Sequence, residues 1–225
     1  MVIAIDGPAG AGKSTIAAHL ARKLGYVNLE SGAMYRALAL KAIEKKIPTS
    51  VETALVKLAH STRIDLIPTA EGNKVLLDGL DVSKRIRETD VTQAASVVST
   101  HPKVREWMVA RQREMGADGG VIMEGRDIGT VVFPNAEVKI FLDADQNIRA
   151  ERRIAQVNAG DPDKAAKLVR ELRERDRRDS TRAVSPLVAA ADAVHIDSTS
   201  LNIDQVIEVI DQVIEQHLSK ANASH

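Results

Sequence analysis

Residues 7–14 read Gly-Pro-Ala-Gly-Ala-Gly-Lys-Ser, the G-x-x-x-x-G-K-[ST] spacing of a phosphate-binding loop. The apolar run Val2-Ile3-Ala4-Ile5 precedes it, and Thr15–Leu24 follows with a helical pattern closed by Gly25. Strand, loop and helix in that order are the context the motif requires. The glycines let backbone N–H groups approach a polyphosphate, and the helix N-terminus adds partial positive charge. Lys13 is expected to reach the terminal phosphates, and the Ser14 hydroxyl to ligate Mg²⁺.

Four further apolar runs read as core strands, at 26–29, 120–123, 138–142 and 193–196, with helical patterns between them. This predicts a parallel sheet with crossover helices, whose ligands gather at the strand carboxyl ends. The interval after the second strand is long. It predicts a helix over 32–46 stopped before Pro48, and a second helix started by capping-box spacing at Thr49-Ser50-Val51-Glu52. A hairpin is expected from 63–67 and 74–78 around Glu71-Gly72-Asn73, with a short third strand at 81–82. Helices follow over 90–98 and 102–115. The last helix runs from Ile203 to about Leu218, and 219–225 is expected to fray.

Composition narrows the function. There is no cysteine, which excludes disulfides, thiolate catalysis and Cys-based zinc sites. Aromatics are 2% of residues, which argues against a stacking platform for single-stranded nucleic acid. The formal net charge is zero, so no global field draws nucleic acid or membrane. The six histidines are scattered without ligand spacing and read as structural or surface residues. Trp107 and Met108 read as core. The chain opens on a core strand and has no apolar run approaching a membrane span, so a cytoplasmic location is expected.

Polar residues cluster just beyond the predicted strands. Glu30-Ser31-Gly32-Ala33-Met34-Tyr35-Arg36 follows the second strand; Ser31 suits a helix cap, and Arg36 suits an anion partner. Glu124-Gly125-Arg126-Asp127 follows the third, with Glu124 nearest to support a metal and Arg126 and Asp127 free to pair with each other or with a ligand. Arg175, Arg178, Asp179 and Arg182 are spaced i, i+3, i+4 and i+7 and share one face if the segment is helical, with Arg149, Arg152 and Arg153 on a neighbouring helix. Glu171, Glu174 and Asp176 could balance some of these as i,i+4 pairs. So many arginines where lysine would serve suit bidentate phosphate contacts. Phosphoryl transfer between two phosphate-bearing molecules calls for this excess of cations and for a lid that keeps water out.

These segments resemble the bacterial cytidylate kinases. The resemblance rests on residues 5–13, 31–36, 124–134, 175–179 and 182–187, and spans nearly the whole chain. It implies one α/β domain over 1–225: a five-stranded parallel sheet of the P-loop nucleoside-monophosphate-kinase type, a small antiparallel insert at 61–98 and a helical lid at 147–165. It implies ATP as donor, CMP or dCMP as acceptor, Mg²⁺, no nucleic-acid or membrane partner, and a monomer. The implied ATP site comprises Gly7, Gly10, Ala11, Gly12, Lys13, Ser14, Thr15, Arg152 and Arg153. Ser96, Arg105 and Asp127 would read the cytosine. Arg36, Arg126 and Arg182 would hold the acceptor phosphate, with Ser31 beside them, and Tyr35 and Asp179 would lie by the sugar. Lys13, Arg126, Arg175 and Arg182 would be catalytic. A carboxylate at Asp127 suits cytosine independently, because it accepts from the N4 amino group but would face the O4 carbonyl of uracil. A nucleotide-dependent switch would need a guanine-reading Asn-Lys-x-Asp, which is missing; a kinase of another small metabolite would keep the lid without the cytosine-reading set.

Overall fold

The computed structural model describes residues 1–69, 72–157 and 161–223. In chain order the elements are β1 (Val2–Asp6), α1 (Lys13–Leu24), β2 (Val27–Glu30), α2 (Ser31–Glu44), α3 (Glu52–His60), β3 (Ile64–Thr69), β4 (Gly72–Leu77) and β5 (Leu80–Asp81). A 3-10 turn at Arg85–Arg87 leads to α4 (Thr89–Val98), α5 (Pro102–Met115) and β6 (Val121–Gly125). A π-helical turn at Ile128–Val132, β7 (Val138–Asp143), α6 (Gln146–Gln156), α7 (Pro162–Thr181), β8 (Val194–Asp197) and α8 (Ile203–Ala223) complete it.

The main sheet is parallel throughout, in the order β2-β6-β1-β7-β8. Both faces are covered, and the period-2 alternation decides what each strand residue meets. Ile3, Ile5 and Ile122 pack under α1 and α8 with Leu20, Ile207 and Ile210, whereas Ala4, Val121 and Met123 join Leu29, Val109 and Ile128 on the other face. Helix α2 is buried nearly all round, because it stands between the sheet and the insert; Met34, Leu38 and Leu40 are sealed among residues of α3, α4, α5 and β4. Trp107 and Met108 lie in this same core.

The antiparallel insert has the order β3-β4-β5. The expected hairpin is present with longer strands, and its connection at 70–71 lies outside the described residues. The next turn is Asp78-Gly79, with φ of 51° and 86°, joining Leu77 to Leu80. Two consecutive left-handed residues match the twist of a two-residue hairpin, which is why Asp-Gly suits that position.

Several expected boundaries move. Helix α2 ends at Glu44 rather than Lys46, because the chain closes a Schellman turn: Ile47 N–H donates to Ala42 O at 2.8 Å and Lys46 N–H to Ile43 O at 3.0 Å, with Lys46 at φ 54°. The capping box at 49–52 does not form. Val51 occupies the cap position of α3, and the Glu52 carboxylate instead accepts from the Lys103 backbone N–H at 2.7 Å, tying α3 to α5. Helix α8 continues through the expected fraying point to Ala223, since no helix breaker interrupts 219–223; residues 224–225 lie outside the described residues. No helix among the described residues is long and apolar enough to cross a membrane.

Gly7 is where the phosphate loop leaves β1, at φ 148°; a Cβ there would stand 1.9 Å from the Leu142 carbonyl oxygen of β7. Only glycine lets loop and strand approach this closely. Gly7→Ala is therefore expected to destabilise the fold by about 3 kcal/mol, read as a lowered Tm in thermal unfolding.

Candidate functional site

One cavity of about 1960 Å³ runs along the carboxyl ends of β2, β6 and β1. That is roughly twice the upper end for a single small-ligand pocket, and fits two nucleotides side by side. Gly10 to Thr15, Arg152 and Arg153 line it, as do Ser31, Tyr35, Arg36, Ser96, Arg105, Arg126, Asp127, Arg175, Asp179 and Arg182. The structure thus brings together the site residues anticipated from the sequence except Gly7, which packs against β7, and Arg149, which does not line the cavity.

The loop end is built from β1 and α1. Gly12 is left-handed, at φ 95°, with nothing within 4 Å of the position a Cβ would take, so its backbone faces open space. Lys13 Nζ folds back onto the Pro8 carbonyl at 2.6 Å, and Ser14 Oγ donates to Glu124 Oε1 at 2.6 Å. Arg149 and Asp176, expected as a phosphate-facing cation and an acid balancing charge along its own helix, instead tie the loop to the arginine helices. Arg149 of α6 donates to Ala9 O at 2.9 Å and to Asp176 of α7 at 2.5 Å, and Asp176 Oδ1 accepts from Ala9 N–H at 3.4 Å. Arg149 is thus structural, and Asp176 balances it across helices rather than along α7. Arg152 is held by Ser198, through Oγ at 3.0 Å and the carbonyl at 2.7 Å.

Asp6 ends β1, one residue beyond the apolar run Val2–Ile5, and no site role was expected of it. Its carboxylate accepts from Ile128 N–H at 2.8 Å and Gly129 N–H at 2.7 Å, fixing the turn that follows Asp127. Burial raises this carboxyl to about 6, against the pull of those two donors. Ser31 does not cap α2; Glu30 holds the cap position and Ser31 Oγ donates to the Glu124 carbonyl at 2.8 Å, joining β2 and β6 where their carboxyl ends open.

The second compartment is an arginine cluster threaded by carboxylates. Arg126 and Asp127, adjacent in sequence, take different partners. Arg126 Nε donates to Asp179 Oδ2 at 2.8 Å, whereas Asp127 Oδ2 accepts from Arg105 Nη2 in a deeply buried pair. Arg182 bridges both acids, 3.7 Å from Asp127 and 3.9 Å from Asp179, and Arg175 Nε lies 4.0 Å from Asp179. The Arg105 guanidinium sits 5.5 Å from the Tyr35 ring centroid, a cation–π contact. Burial pushes the Tyr35 hydroxyl up to about 12, so it is neutral.

Most of the buried side-chain polar atoms that lack a hydrogen-bond partner among the described residues lie on the cavity's residues. Tyr35 Oη, Arg36 Nε, Ser96 Oγ, Arg105 Nε, Arg175 Nε, Arg178 Nε and Arg182 Nη2 are all buried without a hydrogen-bond partner, and all belong to cavity-lining residues. Buried donors are normally satisfied, so this concentration marks where a polar, anionic ligand belongs. The cations also crowd one another. Burial, then Arg126 and Arg175, push Lys13 down to about 7, against the opposing pull of Glu124. Burial and Arg126 likewise lower Arg175, which stays charged at neutral pH. Glu30, Arg87, Thr92 and Gln93 on the acceptor side and Asn202 on the donor side also face the cavity. Glu30 heads the polar cluster beyond the second predicted strand, but no motif marks Arg87, Thr92, Gln93 or Asn202.

A phosphate loop sharing its cavity with a second, arginine-lined compartment defines a P-loop kinase with two phosphate-bearing substrates. The gluconokinase of Sinorhizobium meliloti 1021 has the same fold, with a TM-score of 0.50 at 14% identity over 100% of this chain and 97% of that one. The family model described as cytidylate kinase matches residues 3–216. The cytidylate kinase of Geobacillus kaustophilus (strain HTA426) is 50% identical over 217 residues, 96% of this chain and 97% of its own. That of Enterococcus faecalis (strain ATCC 700802 / V583) is 50% identical over 215 residues, covering 95% of each. The chain belongs to the cytidylate kinase family.

The depressed Lys13 has a linkage consequence. Between about pH 7 and the ordinary lysine value of 10.5, the unfolded chain holds a proton that folded Lys13 has lost, so this group's contribution to stability rises with pH through that window. A polyphosphate on the loop restores the charged form. ATP binding at pH 8 is therefore expected to take up a substantial fraction of a proton, measured by calorimetry in buffers of different ionisation enthalpy, and Lys13→Met should abolish that uptake.

Proposed function

We propose that this protein transfers the γ-phosphoryl group of ATP to CMP or dCMP, giving ADP and CDP or dCDP. The observation that carries this reading is the pairing, in one cavity, of the phosphate loop with the buried Arg105–Asp127 pair and the unpaired Ser96 hydroxyl.

The loop from Gly10 to Thr15 cradles the ATP phosphates, Lys13 swings from Pro8 onto the terminal ones, and Arg152 and Arg153 contact the donor nucleotide. In the acceptor compartment Asp127 accepts from the cytosine N4 amino group while keeping Arg105 with its other lone pairs. Arg105 Nε and Ser96 Oγ donate to N3 and O2. Tyr35 and Asp179 lie by the sugar, Ser31 closes the wall beside it, and Arg36, Arg126 and Arg182 hold the phosphate. Arg175 stands by the transferring group. The acceptor phosphate is already an ionised nucleophile, so no general base is required. The arginines offset repulsion between two polyanions and the charge that spreads over the transferring oxygens. They are fixed in place before the substrates arrive, so little reorganisation accompanies transfer.

Mg²⁺ fits beside Ser14 and Glu124. One hydroxyl and one buried carboxylate form the sparse oxygen set of a cation held mostly by phosphates and water. When bound, it supplies positive charge to the donor phosphates. Residues 61–98 serve as an acceptor-side insert and 147–165 as a lid that excludes water; residues 70–71 and 158–160 within them lie outside the described residues. The lack of cysteine suits a reducing compartment such as the cytoplasm, and the protein works there as a monomer.

The test is ADP release across CMP, dCMP, UMP, AMP and GMP. CMP and dCMP are expected to be preferred, and no acceleration by either would end this reading. Asp127→Asn keeps an oxygen for Arg105 and turns an amide N–H₂ toward the base, so the ratio of kcat/KM for CMP over UMP is expected to fall about tenfold or more. Arg182→Met should lower kcat by roughly 10³ with folding retained, measured by turnover and circular dichroism.

A further inference from the structure

Glu30 closes β2, in register with Glu124 on β6, and its side chain is 13% exposed at the cavity wall. Nothing in the phosphate loop or in the cytosine-reading set uses it. Its carboxylate nevertheless lies among cations from different parts of the chain. Oε1 pairs with Nη2 of Arg36 on α2, and Oε2 lies 3.6 Å from Nη2 of Arg87, in the turn that leads out of the antiparallel insert. Burial alone would raise this carboxyl, but Arg36, Arg87 and Arg175 hold it below the ordinary range, so it is an anion at neutral pH.

A bare negative charge here would repel an incoming phosphate, so the contribution of Glu30 must be geometric. A guanidinium has five N–H donors in a fixed plane. With Nη2 anchored on Glu30, the buried Nε of Arg36 keeps no partner, and Nη1 passes over Gly32, where a Cβ would stand only 3.2 Å away. Glu30 thus fixes the guanidinium plane while engaging only Nη2, which leaves Nε and Nη1 for an anion. Arg87 is held differently. At 3.6 Å and 59% exposed, it is drawn to Glu30 by charge without a hydrogen bond, and is free to move onto a phosphate that reaches the site.

We propose that Glu30 is a positioning residue that assembles a two-arginine clamp for the phosphate of the acceptor nucleotide, Arg36 from the core and Arg87 from the insert. Arg87 thereby becomes an acceptor-phosphate contact. The inference deepens the CMP kinase reading and rests on it.

Steady-state kinetics on the full chain test it, with wild type, Glu30→Gln, Glu30→Asp and Arg87→Met, and with cytidine as a competitive probe that lacks the phosphate. Glu30→Gln is expected to raise KM for CMP about tenfold. KM for ATP and the inhibition constant of cytidine should stay within about twofold, and Glu30→Asp should recover part of the loss. Arg87→Met, which alters an exposed side chain, should raise KM for CMP about threefold with the same sparing of cytidine. An unchanged KM for CMP in Glu30→Gln, or equal weakening of cytidine and CMP, overturns the proposal. Should Glu30→Gln fail to fold, Arg87→Met decides: a wild-type KM for CMP overturns the clamp, and a selective rise supports it. Failure of the wild type to phosphorylate CMP would instead remove the functional reading, and this proposal with it.

Discussion

Mutual repulsion among buried guanidinium groups is the constraint on which the rest of the structure depends. Arg126, Arg175 and Arg182 converge on one carboxylate, Asp179, and Arg105 and Arg182 on another, Asp127. Removing charges from water is costly, and such a cluster persists only where partners and packing over-determine it. Two of these cations are held from outside as well. Arg105 donates to the Ser99 carbonyl at 3.1 Å and Arg182 Nε to the Ser185 carbonyl at 2.5 Å. The compartment remains short of anions even so, as the unpaired donors and the depressed Lys13 show. A bound phosphate completes it.

The sheet makes the convergence possible. Parallel strands put all their carboxyl ends on one edge, so Glu30, Glu124 and the phosphate loop meet there although they are far apart in sequence. The helices then need a fixed angle to that edge. The contacts of Arg149 and Asp176 with the backbone of Ala9 provide it, by fastening α6 and α7 to the loop itself. On the other side the Gln93 amide donates to Glu171 at 2.6 Å, joining the insert to α7 across the cleft. Donor loop, arginine helix and insert are thus linked through polar contacts at their margins, while the cavity keeps its own donors free.

Much of this was legible in the chain. The five strands and the insert sheet follow from hydrophobic period and turn residues, since both depend on local geometry; the helix bearing Arg175 and Arg178 does not, and Arg182 stands just past its end. The phosphate loop was legible because its eight positions are contiguous and each has a local backbone reason. Partner choice was less so. Ser31 has the chemistry of a helix cap and Thr49-Ser50-Val51-Glu52 the spacing of a capping box, yet Ser31 bonds to Glu124 and Glu52 to Lys103. In both cases a group from another element outcompeted the local backbone. Asp6 carried no signal of its own in the sequence, yet it is the acceptor for two buried N–H groups more than a hundred residues away.

The sequence by itself determined the donor half of this protein: a strand, a glycine loop and a helix whose backbone must present N–H groups to phosphate, because the required φ angles and close approaches are encoded residue by residue. It also determined that an excess of arginine had to meet an anion somewhere. Only the tertiary structure decided which arginine pairs with which acid, that Arg126 and Asp127 part company, that Arg149 is a brace, and that Glu30 stands between Arg36 and Arg87. Ion pairing depends on distances set by packing and on the water that burial removes, and neither quantity exists in the chain until the sheet has brought its carboxyl ends together.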